Sequence, residues 1–257
     1  MSVFVYDGKD LSLYGVRYLS GPWFAAPSAL DGERAIGRQD GMVASPRVYR
    51  GRIVRLPVVI SGTSWSSLLS RIDSVHSALN TREDVAFSFD TITDRYWNGR
   101  GRLSSLEIEN PQRAIGEIEL MCADPFAYAS SESTHEETGV STGAEGDSFT
   151  VTVAGTMRAY PEIVFESTGS STPLTIEHDA QDTRLTYTGA MASGDKIRVK
   201  CAPTEWAVER MPSGEDAYAS VMPYVDGQWP YLAVGDNIFT VYWFDGDITW
   251  TWRERYL

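Results

Sequence analysis

Residues 149–153 read Phe-Thr-Val-Thr-Val, a stretch in which apolar and polar side chains alternate. Successive side chains of a β-strand point to opposite faces of its sheet, so this alternation predicts a strand with one buried face. Segments of similar character follow it at short intervals, at residues 162–165, 174–176, 184–187 and 196–199. Short strands separated by turn residues predict a β-sandwich for this half of the chain.

The C-terminal end of this half is rich in aromatic residues. Its last two apolar runs, 238–243 and 248–252, are separated by Asp245-Gly246-Asp247, and an Asp-Gly pair between two such runs predicts a β-hairpin. Alternation places Trp250 and Trp252 on one face of their strand. That face fits a core or a subunit contact, or a surface on which sugars stack. Trp229 and Trp252 are the candidate glycan-binding residues.

Residues 129–148 interrupt the β pattern. They are almost all Ser, Thr, Gly, Glu and Ala, and Val140 is their only large apolar residue. This composition predicts an exposed polar loop or linker. The expected organisation is therefore a first domain at 1–128, a linker at 129–148 and a second domain at 149–257.

The first half also alternates, but it contains one helical pattern. In residues 63–79 the large apolar residues lie 3, 4, 7, 10 and 14 positions after the first of them, which predicts an amphipathic helix packed on a sheet: Trp65, Leu68, Leu69, Ile72, Val75 and Leu79. Strands are expected at 3–6, 11–16, 52–60, 85–89, 103–108 and 115–122, with a turn at 95–99. The predicted fold class is mainly β, with two β-sandwich domains, the first carrying one α-helix.

Charge is distributed unevenly between the two halves. Residues 1–125 contain 14 Lys and Arg against 15 Asp and Glu, whereas residues 126–257 contain 8 against 20. The acidic second half would repel nucleic acid and anionic membranes. Six arginines fall within a short stretch of the first half, where a solvated strand face or ion pairing between subunits is expected: Arg34, Arg38, Arg47, Arg50, Arg52 and Arg55.

The chemistry of an enzyme is missing from the sequence. The chain has three histidines and two widely spaced cysteines, and it shows no metal spacing, phosphate loop or nucleotide fingerprint. Gly146-Asp147-Ser148-Phe149 is similar to the nucleophile block of one hydrolase family, but the Asp-x-x-His pair that this family needs is absent. No cofactor, no metal and no enzymatic activity are expected. No apolar run reaches the length of a membrane span, and the N-terminus does not resemble a secretion signal, so folding in the cytoplasm is expected.

Several short motifs, in order, resemble one protein family. Ala123-Asp124-Pro125-Phe126-Ala127-Tyr128 resembles the Asp-Pro-Phe-aromatic hinge of the distal tail proteins (Dit family) of siphoviruses, which are long-tailed bacteriophages. Gly194-Asp195-Lys196-Ile197 is similar to the Gly-Asp turn of that family, and residues 231–238 to its Leu-x-x-Gly-x-Asn step. The final residues, 252–257, are similar to its closing strand. Lys200 departs from the family pattern, and so does the shifted Pro230.

The resemblance implies a structural protein of the virion. The first domain would be tail-tube-like and would form a hexameric ring, with Asp124, Pro125 and Phe126 as the hinge to a galectin-like second domain. Such a ring is a baseplate hub at the tail tip. It would contact the major tail tube protein, the tape measure protein and the tail-tip or baseplate protein. DNA would only pass through its lumen, and assembly would take place in the host cytoplasm. The alternative is a carbohydrate-binding adsorption module that recognises host surface glycans.

Overall fold

A computed structural model describes residues 3–19, 27, 29–30, 33–35, 42–44, 48–169 and 173–257, with the backbone alone at 29–30, 33–35, 42–44 and 48. The chain divides into two compact units, Met1–Ser130 with Leu257, and Ser131–Tyr256. The expected mainly β fold class is confirmed, because strands dominate both units and the described residues contain a single α-helix.

The first unit consists of one large antiparallel sheet, two small two-stranded sheets, a 3₁₀ turn at Leu11–Tyr14 and the helix α1 at Trp65–Leu79. Its strands are β1 Phe4–Tyr6, β2 Lys9–Asp10, β3 Val16–Tyr18, β4 Ala29–Leu30, β5 Glu33–Ala35, β6 Met42–Ala44, β7 Val48–Tyr49, β8 Arg52–Ser61, β9 Val85–Phe89, β10 Ile92–Asn110, β11 Arg113–Cys122 and β12 Ala127–Ala129. The large sheet has the order β2-β1-β9-β10-β11-β8-β3, and β12 pairs with β10 beside it.

The long strand β10 connects the two halves of this sheet. It pairs with β9 through Trp97–Gly99 and with β11 from Arg100 onward. The turn predicted at residues 95–99 is therefore wrong. Asn98 and Gly99 look like turn residues in the sequence, but both are hydrogen-bonded strand positions opposite Ala86 and Val85.

The helix α1 confirms the periodicity of residues 63–79. The Ser64 side chain caps its first turn by accepting a hydrogen bond from the Ser67 N–H. Leu68, Ile72, Val75 and Leu79 are buried. Trp65 and Leu69 belong to the same apolar stripe but lie at its margin, where they remain 49% and 39% exposed. No helix in the described part of the chain has the length and apolar character needed to cross a membrane.

The second unit is a β-sandwich. Its strands are β13 Ser133–Ser141, β14 Asp147–Val153, β15 Glu162–Ser167, β16 Leu174–His178, β17 Thr183–Tyr187, β18 Lys196–Lys200, β19 Ala207–Met211, β20 Ala219–Ser220, β21 Val225–Gly227, β22 Gly235–Tyr242, β23 Asp245–Trp252 and β24 Arg255–Tyr256. One sheet has the order β13-β23-β15-β18-β19-β20, and the other has the order β14-β22-β16-β17-β21. The buried Trp250 of the first sheet packs against Phe149 and Phe239 of the second, so the core lies between the sheets.

The polar segment 129–148 is not the loop that its composition predicts. It was expected to be a loop or linker, but Ser133–Ser141 forms β13, an edge strand paired with β23. An edge strand needs few apolar residues, because one of its flanks and one of its faces contact water. Val140 is its buried residue, and the boundary between the units falls earlier, after Ser130.

The hairpin predicted around Asp245-Gly246-Asp247 is also wrong. β22 and β23 lie in opposite sheets, and the chain crosses between them at Trp243, which has a positive φ of 58°. Gly246 is a strand residue with φ 152°. A Cβ at this position would lie 2.0 Å from the Glu166 carbonyl oxygen, so the glycine allows β15 to approach β23 closely.

Candidate functional site

The six arginines do not form one surface. Arg34 lies on β5, but its side chain is outside the described residues, as are Arg38 and Arg47 entirely. Arg50 is exposed just before β8. Arg52 and Arg55, both on β8, have opposite environments, since the first is buried and the second exposed.

Arg52 binds within its own chain, which corrects its expected role in subunit contacts. The side chain is 7% exposed, and its guanidinium donates hydrogen bonds to the Pro125 carbonyl oxygen from Nε at 2.6 Å and from a terminal nitrogen. Burial lowers the pKa of Arg52, while the neighbouring Cys122 and Asp124 act in the opposite direction. The arginine therefore anchors the Asp-Pro-Phe segment to the start of β8.

Asp124 and Phe126 complete this anchored corner. The Asp124 carboxylate accepts hydrogen bonds from the Phe126 N–H at 3.2 Å and from the Tyr128 hydroxyl. The Phe126 ring packs edge-on against Tyr49, with ring centroids 5.3 Å apart. The three predicted hinge residues thus lie within the first unit, shortly before its boundary, and their role as a hinge remains a prediction.

Arg55 belongs to a row of charges across three strands. It lies opposite Glu119 on β11, and Glu119 lies opposite Arg102 on β10. Glu119 accepts a hydrogen bond from Arg102 Nε at 2.9 Å and lies 3.4 Å from Arg55 Nε. The hydrogen bond from Arg102 is the main reason that the pKa of Glu119 lies below its ordinary value. We call this row, Arg55, Glu119 and Arg102, the charged row of the first sheet.

Arg55 stands out in the sequence as one of six clustered arginines, but its two partners do not. Only the register of the paired strands shows that these two residues lie in one row with Arg55. Glu119 and Arg102 face the same side of the sheet as Arg55 because β8, β10 and β11 are antiparallel neighbours. This register was not available before the pairing of the strands was known.

The same sheet has two open strand edges within the described residues. Residues 102–110 of β10 pair with β11 on one side and with no strand on the other. On the opposite side of the sheet, β3 pairs only with Val58–Ile60 of β8, so no strand of the described chain flanks residues 53–56 there. An open edge presents unpaired backbone N–H and C=O groups, which another strand can bind.

A small apolar patch lies next to the charged row. Ile53 and Met121 are opposite each other on β8 and β11 and are 53% and 55% exposed. They form the exposed apolar part of an otherwise charged sheet face.

The two candidate glycan-binding residues, Trp252 and Trp229, differ in how deeply they are buried. Trp252 is buried in the core at 6% exposure, and its indole N–H donates to Glu254 at 3.0 Å, so it offers no stacking face to a ligand. The alternation that places Trp250 and Trp252 together thus reflects a core. Trp229 is half-buried against that core, and its ring lies nearly parallel to the exposed ring of Trp206.

The Gly-Asp turn has a structural function in the second unit. Asp195 is buried and accepts hydrogen bonds from the Ala192 N–H at 2.7 Å, the Ser213 N–H at 2.9 Å and Arg210 at 2.7 Å. Burial raises the pKa of Asp195, but these donors outweigh it, and the net pKa is lowered. The carboxylate therefore joins the turn before β18 to the end of β19.

Asn237 plays a comparable part in the segment 231–238. Its side chain is fully buried, accepts from the Ala233 N–H at 2.7 Å and donates to the carbonyl oxygens of Ala233, Gly235 and Val151. The resemblance motifs of the second unit thus stabilise turns between its strands.

The described residues show little that could carry catalysis. They contain no group of three or more His, Cys, Asp or Glu side chains placed to hold a metal ion. Ser148 lies on β14, where its hydroxyl is 3.0 Å from the Thr240 hydroxyl. His178 is buried and bonds Asn237 and Gln181.

Comparison with known proteins finds a family match in the second unit and a likeness in fold over the whole chain. Residues 154–256 match the family of siphovirus-type tail components, C-terminal domain. The crystal structure of the Dit protein of phage SPP1, described as a paradigm of the hub adsorption apparatus in phages that infect Gram-positive bacteria, superposes with a TM-score of 0.77 at 19% identity. That match covers 100% of both chains.

A weaker likeness extends to a second phage. Chains of the activated phage P2 baseplate, solved with Ca and with Sr, give TM-scores of 0.56 and 0.54 at 8% and 9% identity, covering 99% of this chain and 98% of theirs. Among curated proteins no sequence matches significantly. The resemblance to the distal tail protein family is confirmed: residues 154–256 match the C-terminal domain of siphovirus-type tail components, and the whole chain has the fold of SPP1 Dit.

Proposed function

We propose that this protein is the distal tail hub of a siphovirus, a structural ring subunit that joins the tail tube to the tail-tip or baseplate proteins. The observation that carries the proposal is the likeness to SPP1 Dit, a hub protein, over the full length of both chains. The family of the second unit, a tail component, supports the same conclusion independently.

The open edges of the first sheet support assembly into a ring. They lie on opposite sides of one sheet, so β8 of one copy can extend the sheet of the next copy at its β10 edge. Such a contact is heterologous, and repeated rotation closes it into a cyclic oligomer. Six copies are expected, with the first unit forming the ring.

Charge supports the direction of this contact. On the open β10 edge, Arg102 is paired with Glu119 and Glu109 with Arg113, while Glu107 is exposed; the exposed Arg50 precedes β8. Glu107 on one edge and Arg50 beside the other attract each other between copies, and two Glu107 side chains oppose pairing of two identical edges.

The proposed partners follow from the position of the ring between the tail tube and the tail tip. The ring contacts the major tail tube protein on one side and the tail-tip or baseplate protein on the other, and surrounds the end of the tape measure protein. DNA passes through the lumen without being held. The protein is assembled in the host cytoplasm and resides at the tail tip of the virion.

Light scattering after size-exclusion chromatography tests the ring interface. The full chain is expected to elute as an oligomer whose mass is six times that of one copy. Glu107→Arg should shift the population towards monomers, because it places like charges opposite each other.

Glu136→Arg is the matched control, since Glu136 is exposed on β13 in the second unit and makes the same change in charge. Equal behaviour of the two variants would contradict the proposed edge contact, and a wild-type monomer at every concentration would contradict the ring.

A further inference from the structure

The second unit carries an aromatic surface that ring assembly by the first unit does not use. Trp206, just before β19, is 53% exposed, and its ring lies 6.3 Å from that of Trp229, just after β21, at an interplanar angle of 13°. We infer that these two indoles form a binding site for a neutral saccharide, and we call it the Trp206 platform.

The platform is held in place before any ligand binds. The Trp206 indole N–H donates to the Cys201 carbonyl oxygen at 3.1 Å, which fixes the edge of the ring. Trp229 backs it from one side and rests on the buried core. A rigid aromatic ring loses little conformational entropy on binding, so its exposed face is suited to recognition.

Polar groups that can bind hydroxyls flank the two indoles along the chain. Glu205 precedes Trp206, while Asp226 and Gln228 precede Trp229, and all three are exposed. Their side chains make no ion pair or hydrogen bond among the residues that the structure describes. A pyranose ring presents C–H groups on its faces and hydroxyls at its rim, which matches an indole face surrounded by carboxylate and amide groups.

Charge decides between neutral and anionic ligands. Each basic residue of the neighbouring strands has a carboxylate partner: Lys196 pairs with Glu166, Arg210 pairs with Asp195, and Arg198 and Lys200 share Glu209. Among the described residues, every cation of β18 and β19 thus lies beside a carboxylate that competes with a phosphate or a uronic acid, and residues 126–257 carry 20 Asp and Glu against 8 Lys and Arg. The platform therefore selects neutral sugars.

Trp252, the other tryptophan proposed from the sequence, cannot stack on a sugar. Trp252 is buried, whereas Trp206 has an exposed ring and a fixed orientation. The inference concerns the second unit and does not rest on the formation of a ring, so the two can fail separately.

A printed array of neutral and acidic oligosaccharides, followed by titration calorimetry of the full chain, tests the inference. Binding to at least one neutral oligosaccharide is expected. Trp206→Ala should weaken it about tenfold or more, and Trp206→Tyr, which keeps a stacking ring, should weaken it less.

Trp65→Ala is the matched control, because Trp65 is 49% exposed and lies in the first unit. Circular dichroism checks that each variant is folded. The inference is overturned if no neutral oligosaccharide binds, if only acidic ones bind, or if Trp206→Ala and Trp65→Ala bind equally well.

Discussion

At the scale of single residues, two buried charged groups stabilise segments that resemble motifs of the distal tail proteins. Arg52 donates hydrogen bonds to the Pro125 carbonyl oxygen near the end of the first unit, and Asp195 joins two turns of the second. Both side chains make their hydrogen bonds within their own unit, so these motifs stabilise the fold of each unit.

Replacing Arg52 should destabilise the first unit. Arg52→Met leaves the Pro125 carbonyl oxygen without its donor in a buried place, and a loss of about 2–3 kcal/mol in the free energy of unfolding is expected. Urea unfolding followed by circular dichroism measures it. Arg50→Met makes the same change at an exposed position and should cost little. Equal losses would show that the guanidinium of Arg52 is not the anchor.

Asp195 should make stability depend on pH. Because folding lowers its pKa below the ordinary aspartate value of 3.8, the carboxylate stabilises the fold above that value, and the contribution is lost as pH falls through the folded pKa. Asp195→Asn should therefore lower the thermal stability at neutral pH and flatten its decline below about pH 4. Asp226→Asn, at an exposed position, is the control. An unchanged acid profile in Asp195→Asn would contradict this assignment.

At the scale of elements, the sequence predicts helices better than it predicts which strands pair with each other. The 3–4 spacing of Leu68, Ile72 and Val75 identified α1, since a helix makes its pattern from its own residues. The strand that begins at Ser133 was predicted to be a loop, because the sequence of a polar edge strand resembles a loop when its neighbour β23 is not known. The sequence pattern also joined β22 and β23 into a hairpin, since alternation does not reveal to which sheet a strand belongs.

Gly246 provides a test of the corrected arrangement of β23. Gly246→Ala would force a Cβ against the Glu166 carbonyl oxygen and require a backbone conformation that alanine rarely adopts. We expect a loss of about 2 kcal/mol or more in the free energy of unfolding. Gly143→Ala is the control, since nothing lies within 4 Å of a Cβ there. If the two variants unfold alike in urea, the close approach of β15 to β23 is wrong.

At the scale of the whole molecule, the order of short motifs carried more information than any one of them. The Asp124 hinge segment, the Gly194 turn and the Asn237 step each occur by chance in many proteins, but their succession indicated the family. The charged row could not be predicted from the sequence, because Arg55, Glu119 and Arg102 come together only through the pairing of β8, β11 and β10. Trp206 was not singled out among the many aromatic residues, since exposure cannot be read from alternation.

The central claim is that the first unit closes into a ring, and electron microscopy of the purified full chain tests it most directly. Negatively stained particles should give class averages of a closed ring with six-fold symmetry and a central lumen, and Glu107→Arg should reduce the fraction of rings while Glu136→Arg should not. Isolated single copies at high concentration, with no ring even when the tail tube and tail-tip proteins are added, would contradict the account.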